Sequence, residues 1–177
     1  MSLKSGYAGP IDDSYWAASA KLIIGMYPFR GAEDRATERQ RIRALLDAGV
    51  RTVIDFRTPA EPPSVRSLLR KLGDDDVAWL GIPIQDGEAP NRAELITILD
   101  AIDSAIARGR VVYAHCMGGR GRAGTVAACW WIRHGVFDSE GALEALMERR
   151  LGQPHGEHPS PETAPQLRLV RAWQAGD

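Results

Sequence analysis

The sequence predicts an α/β fold with a mostly parallel sheet of four or five strands and helices on both faces, and three observations carry that prediction. Strand-type apolar runs alternate with stretches whose apolar residues recur at helical spacing. The run Val111–Ala114 is apolar throughout, as expected of a central parallel strand covered on both faces. A glycine-rich turn, MGGRG, then joins that run directly to a helical stretch, at the strand end where open α/β sheets place their ligands.

In chain order, residues 1–20 are polar with scattered aromatics and read as an irregular lead-in packed by Tyr15 and Trp16. Lys21–Tyr27 is a first strand closed by Pro28. From Glu33 to Asp47, Ile42, Leu45 and Leu46 sit among charges at helical spacing, and Gly49 follows as a stop. Val50–Phe56 is a second strand, and Arg66, Arg70 and Lys71 lie on a short helix with a solvated face. Val77–Ile84 is a third strand, followed by the turn QDGEAP. Asn91–Arg108 carries Leu95, Ile98, Leu99, Ile102 and Ile106 on one helical stripe, ended by Gly109. Ala123–Arg133 is the helix after the glycine turn, with the adjacent Trp130 and Trp131 on different sides as core or interface residues. Ser139 caps a helix through Arg149. Ser160 with Pro161 opens the last helix, which carries Gln166, Leu169, Val170 and Trp173.

Composition limits the function. The 177 residues, 44% hydrophobic and 25% charged, suffice for one core, so a single domain over 1–177 is expected. With 22 Lys and Arg against 23 Asp and Glu, no overall charge draws the chain to nucleic acid or to an anionic membrane. No apolar run reaches the roughly 18 residues of a membrane span, and no basic-then-apolar leader opens the chain, so a cytoplasmic location is expected. Cys129 lies about 9 Å along the helix from the glycine turn, beyond the roughly 7 Å a disulfide to Cys116 tolerates, and reads as core. Oligomeric state is left open by the sequence.

The chemistry concentrates in VVYAHCMGGRGRAGT, Val111 to Thr125. Cys116 and Arg122 bracket five residues rich in glycine, a turn that can aim successive backbone N–H groups inward. Those amides, the positive end of the following helix and the Arg122 guanidinium together make a site for a tetrahedral oxyanion. The same field favours a thiolate at Cys116, and a nucleophile beside a phosphate cradle implies phosphoryl transfer. Three other readings apply to the stretch. Gly119, Gly121 and Gly124 spell G-x-G-x-x-G, but the acidic strand end that a dinucleotide site needs about 20 residues later is replaced by the helical SEGALEALMERR. A rhodanese-like sulfurtransferase or an arsenate reductase also uses a cysteine in an anion loop, though most sulfurtransferase loops lack the Arg122 spacing. A glycine turn with a buried cysteine leaves that spacing unexplained.

With His115, Cys116, Gly119 and Arg122 in the Cys-x5-Arg arrangement, the chain resembles the cysteine-dependent protein tyrosine and dual-specificity phosphatases over about Lys21 to Trp173. The resemblance implies that Cys116 attacks phosphorus, that Arg122 and the loop Met117, Gly118, Gly119, Arg120 and Gly121 hold the phosphate, and that His115 supports the thiolate and the loop. It also implies that Asp86, on the turn after a strand in a Pro-Ile-x-Asp pattern, is the general acid, with Glu88 as the second choice. Alone, Asp86-Gly87 would be only a turn dipeptide. Family members usually carry Ser or Thr after the arginine, where this chain has Ala123, a departure that bears on the second chemical step. Asp55, Arg57 and Glu61 match a family Asp-x-Arg-x-x-x-Glu run expected to brace the pocket loops, with direct substrate contact by Arg57 as the alternative. Gln166 is either a water-orienting residue or a helix-surface glutamine. No cofactor or metal is expected: His155 and His158 alone do not make a ligand set. The expected partner is a phosphorylated protein or a small phosphate ester. Arg120 at the rim would favour substrates with more than one phosphate, or else points to solvent, and a phosphate-binding pseudophosphatase is the remaining alternative.

Overall fold

The computed structural model describes residues 6–62, 66 and 76–177. Its sheet is built from β1 (Ser14–Ala18), β2 (Leu22–Gly25), β3 (Val50–Asp55), β4 (Ala78–Gly81) and β5 (Val111–His115) in the spatial order β1-β2-β5-β3-β4. Only β1 runs antiparallel, on β2; the other pairings are parallel. The helices among the described residues are α1 (Arg35–Asp47), α2 (Arg92–Ala107), α3 (Arg122–Arg133), α4 (Ser139–Arg150) and α5 (Ala164–Ala172). The expected α/β class with a mostly parallel sheet is therefore the observed one.

Strand alternation divides the core in two. Ile23, Val53 and Tyr113 face α1, where they meet Ile42 and Leu45. Leu22, Ile24, Ile54, Val112 and Ala114 face the opposite way and pack with Leu95, Ile98, Leu99 and Ile102 of α2 and with residues of α3, α4 and α5. Each fully buried Val, Leu or Ile among them contributes about 1.5–3 kcal/mol by leaving water. Asn91 starts α2 with a capping box, its side chain accepting from the Glu94 amide and the Glu94 side chain from its own.

Register brings the site together. Gly25 of β2 and Asp55 of β3 both pair with His115 of β5, and Gly81 of β4 pairs with Asp55. The carboxyl ends of four strands are thus level, and the segments leaving them open on one edge of the sheet. Because β5 lies between β2 and β3, the chain leaves neighbouring strands there in opposite directions, which opens a crevice.

Four expectations need correction. Within the expected irregular lead-in, Ser14–Ala18 forms β1, antiparallel on β2; at five residues between turns it is too short to show a strand period. The third strand is only Ala78–Gly81, its rear part turning early toward the site. Asp138, not Ser139, caps α4 by accepting from the Gly141 amide. The last helix begins at Ala164 under a Thr163 capping box with Gln166, and Ser160–Pro161 precede it as a cis peptide. Arg66 is helical and exposed, stacked 5.7 Å over Trp79, while Arg70 and Lys71 lie outside the described residues.

Candidate active site

The loop from Cys116 to Gly121 leaves β5 and feeds α3, whose first residue is Arg122. Cys116 is buried and free. Among the described residues, no amide from Met117 to Arg122 donates to a protein acceptor, so these N–H groups remain available at the positive end of α3. The loop is fixed from outside: the Tyr27 amide donates to the Met117 carbonyl at 3.1 Å, and the Ser160 hydroxyl to the Arg120 carbonyl at 2.8 Å. Gly119 has φ +70°, and a Cβ there would stand 2.6–2.9 Å from the backbone of Gly25 and Met26. Beside Gly121 lie Glu162 and Gln166, and beside Gly124 the Ser160 hydroxyl. The three glycines of the apparent dinucleotide fingerprint are thus accounted for by neighbours of the protein itself.

Arg122 is nearly inaccessible and fully directed. Its Nη1 and Nη2 donate to Glu61 Oε2 and Oε1, each at 2.8 Å. Nη1 also donates to the Ile84 carbonyl at 3.1 Å, and Nη2 lies 2.9 Å from Asp86 Oδ1. Its Nε is buried and has no partner among the described residues. Burial opposes the charge of Arg122, yet the Glu61 bonds and the fields of Cys116, Glu61 and Asp86 more than offset this, so the guanidinium titrates above its ordinary value. Glu61 in turn is pulled down to about 2, mainly by its hydrogen bonds to Arg122, helped by the Thr58 amide at 2.7 Å. A two-bond grip of this kind fixes the plane of the guanidinium as well as its position.

The Asp55, Arg57 and Glu61 run resolves into two separate pairs. Arg57 Nε and Nη2 bind the Asp55 carboxylate at 3.0 and 2.8 Å, Nη1 reaches the Pro62 carbonyl at 2.8 Å, and the guanidinium lies 3.7 Å over the Tyr27 ring. Arg57 is thereby committed to bracing, while Glu61 serves Arg122.

His115 is wholly buried between Tyr27 and Tyr113, with its Nδ1 3.3 Å from the Cys116 carbonyl and its Nε2 3.8 Å from Asp55 Oδ1. Burial pushes its pKa down to about 4 against the raising field of Asp55, so near neutral pH the ring is uncharged. Its contact is with the loop backbone. Asp86 reaches Arg122 from the β4–α2 segment with its side chain 73% exposed, whereas exposed Glu88 makes no ion pair among the described residues. The Gln166 side chain is buried; its Oε1 accepts from the amides of Glu162 and Thr163, and its Nε2 donates to the Glu88 carbonyl at 3.1 Å. It is not a surface glutamine. Arg120 does not point to solvent either: its side chain is 18% exposed and its Nη2 lies 2.8 Å from Glu162 Oε1. Ala123 is fully buried, and the nearest hydroxyl on α3, that of Thr125, is spent on the Gly121 carbonyl at 2.8 Å. His155 binds Asp13 Oδ2 through Nδ1 at 2.6 Å, far from a ligand role. Cys129 is buried in the core, and burial pushes its thiol up.

Reading the sequence alone missed Glu162 and the Glu61–Arg122 partnership. The only sequence signal for the latter was the spacing of Asp55, Arg57 and Glu61.

A family model described as a DSP-PTPase phosphatase of polymorphic toxin systems matches residues 25–136. The chain belongs to that family. It is similar to the 067L protein of Invertebrate iridescent virus 3, a tyrosine phosphatase by name, at 32% identity over 62% of this chain and 42% of that protein. It is also similar to the phosphatidylglycerophosphate phosphatase PTPMT2 of Arabidopsis thaliana, at 29% identity over 73% of this chain and 52% of that protein. The chain spans about half the length of these relatives. Among solved structures, Tk-PTP in its active form superimposes with a TM-score of 0.66 at 26% identity, covering 90% of this chain and 94% of that one. No helix among the described residues is long and apolar enough to cross a membrane.

Proposed function

We propose that this chain is a cysteine-dependent phosphoric monoester hydrolase of the protein tyrosine and dual-specificity type. The observation that carries the reading is the convergence on Cys116 of the unengaged loop amides and the Glu61-gripped Arg122. In the first step the Cys116 sulfur attacks phosphorus, forming the S–P bond as the ester P–O bond breaks. Charge on the equatorial oxygens is met by the amides of Met117 to Arg122 and by the Arg122 guanidinium. Asp86, at the rim of the same cradle, gives a proton to the departing oxygen. It then takes one from the water that attacks phosphorus as the S–P bond breaks, releasing inorganic phosphate and the thiolate. His115, uncharged and bonded to the loop, acts by positioning it, and Gln166 acts by joining the acid segment to the phosphate loop. The enzyme works in the cytoplasm on a phosphorylated protein or a small phosphate ester. An inositol phosphate or phosphoinositide is the second substrate class, favoured by the additional loop cation Arg120 and by the lipid-phosphate substrate in the name of the PTPMT2 relative. Ala123 is the feature that favours a phosphate-binding pseudophosphatase.

The test is phosphate release from p-nitrophenyl phosphate, with chelator present, across about pH 5 to 8 beside Cys116→Ser. A burst followed by slower turnover is expected, the slow step reflecting Ala123, and Cys116→Ser should reduce release to background. Binding of phosphate or tungstate without a burst would instead identify a recognition module, and release unchanged in Cys116→Ser would refute the mechanism.

A further inference from the structure

Beside the phosphate loop a second pair of cations converges. The segment after β2 is locked to the loop by the Tyr27–Met117 hydrogen bond and by the close approach of Gly119 to Gly25 and Met26. It carries Arg30, whose backbone is held in turn by Arg41, bonded to the Pro28 carbonyl at 3.1 Å and the Arg30 carbonyl at 2.6 Å. Arg30 Nη1 lies 3.4 Å from the point where a Cβ on Gly118 would stand, and Arg120 Nε and Nη2 lie 3.2 and 3.5 Å from the same point. Two guanidinium groups from separate segments therefore meet against a loop residue with no side chain. Both Arg30 Nη1 and Arg120 Nε are withdrawn from solvent and have no hydrogen-bond partner among the described residues.

The neighbouring acid does not complete the arrangement. Glu162 engages Arg120 through Nη2 alone, which leaves two cations for one carboxylate. Like charges converging with buried, unused N–H donors are costly unless an anion accepts from both. Arginine forks suit phosphate oxygens in particular.

We infer that Arg30 and Arg120 form a second anion subsite beside Gly118, which takes a further phosphate on the substrate whose first phosphate faces Cys116. This rests on the phosphatase reading and narrows it to substrates with two phosphates on neighbouring positions, whether as a free polyol phosphate or as a lipid headgroup. Arg30 is then a specificity-determining residue, because it approaches the subsite from the segment after β2 and not from the catalytic loop itself.

The experiment compares kcat/KM for a vicinal inositol bisphosphate with that for an inositol monophosphate, in wild type, Arg30→Ala and Arg30→Lys. A parallel arm presents a phosphatidylinositol bisphosphate in phosphatidylcholine vesicles. Wild type should prefer the bisphosphate, and Arg30→Ala should shrink that preference about tenfold or more, as loss of a charge-assisted contact does, with Arg30→Lys restoring part of it. The larger effect, in solution or on vesicles, names the source. A preference that survives Arg30→Ala, or loss of both substrates in equal measure, overturns the subsite. A parallel measurement in the Cys116→Ser background uses calorimetric binding of inorganic pyrophosphate against inorganic phosphate. If wild type releases no phosphate from any ester, the phosphatase reading fails, and the subsite stands or falls on whether Arg30→Ala selectively weakens pyrophosphate.

Discussion

Glu61 shows what one side chain does in this site. By accepting from both terminal nitrogens of Arg122 it fixes the guanidinium plane, while Nε is buried and has no partner among the described residues. Glu61→Gln keeps the shape and removes the charge, so kcat/KM on p-nitrophenyl phosphate should fall about 100-fold through misplacement of Arg122. Stability at neutral pH should fall by about 1–3 kcal/mol. The pH dependence has a definite sign. Glu61 titrates near 2 in the folded chain against an ordinary 4.5, so between those values the unfolded chain holds more protons. Its contribution is complete above about 4.5 and is lost as pH falls toward 2. His115, pushed down from 6.5 to about 4 mainly by burial, acts in the same direction over its own window. Urea unfolding followed at decreasing pH should therefore weaken in two stages, and Glu61→Gln should flatten only the more acidic one. An unchanged acid limb in that variant would place the titration elsewhere.

At the scale of elements, the segment between β4 and α2 and the segment leading into α5 behave as one unit. Thr163 Oγ1 donates to the Gly87 carbonyl at 2.7 Å and Gln166 Nε2 to the Glu88 carbonyl, so the α5 cap holds the turn that carries Asp86. Ser160 from the same stretch holds Arg120. Asp86 and the Cys116–Arg122 loop are in this way indexed to each other through the carboxy-terminal region. Asp86→Asn should slow release from aryl phosphates with poor leaving groups more steeply than from activated ones, because only poor leaving groups need the proton. Equal slowing across a leaving-group series would transfer the role to another residue, Glu88 first.

At the scale of the molecule, the chain closes on itself at the edge of the sheet. Asp13, at φ 50°, accepts from the His155 amide at 3.0 Å as well as from its ring, while Gln153 bonds the amide of Asp13 and the carbonyl of Ser14. This joint is what pins β1. Asp13→Ala should cost about 1–3 kcal/mol in urea unfolding, with Asp13→Asn recovering part, since asparagine also tolerates the left-handed backbone. Equal stability of all three forms would mean that β1 is held by its strand pairing alone.

Local pattern was enough for the alternation of strands and helices, for the burial of β5 and for the loop from Cys116 to Arg122, because strand period, helix period and turn chemistry act between residues a few positions apart. It was not enough for β1, whose five residues lack a periodic signal, or for the helix caps, where Asp138 and Thr163 won over equally plausible neighbours by the geometry of one amide. The spacing of Asp55, Arg57 and Glu61 announced a charge arrangement but not its partners; only folding set Asp55 on Arg57 and Glu61 on Arg122, across 61 positions of chain. The meeting of Arg30 with Arg120, and of Gln166 with the acid turn, arises the same way. Local pattern was sufficient to mark the residues able to do chemistry. Which charges neutralise one another, and which are left without a partner, follows from the packing of distant segments, because Coulombic and hydrogen-bond partners are chosen by distance in space and not by distance along the chain.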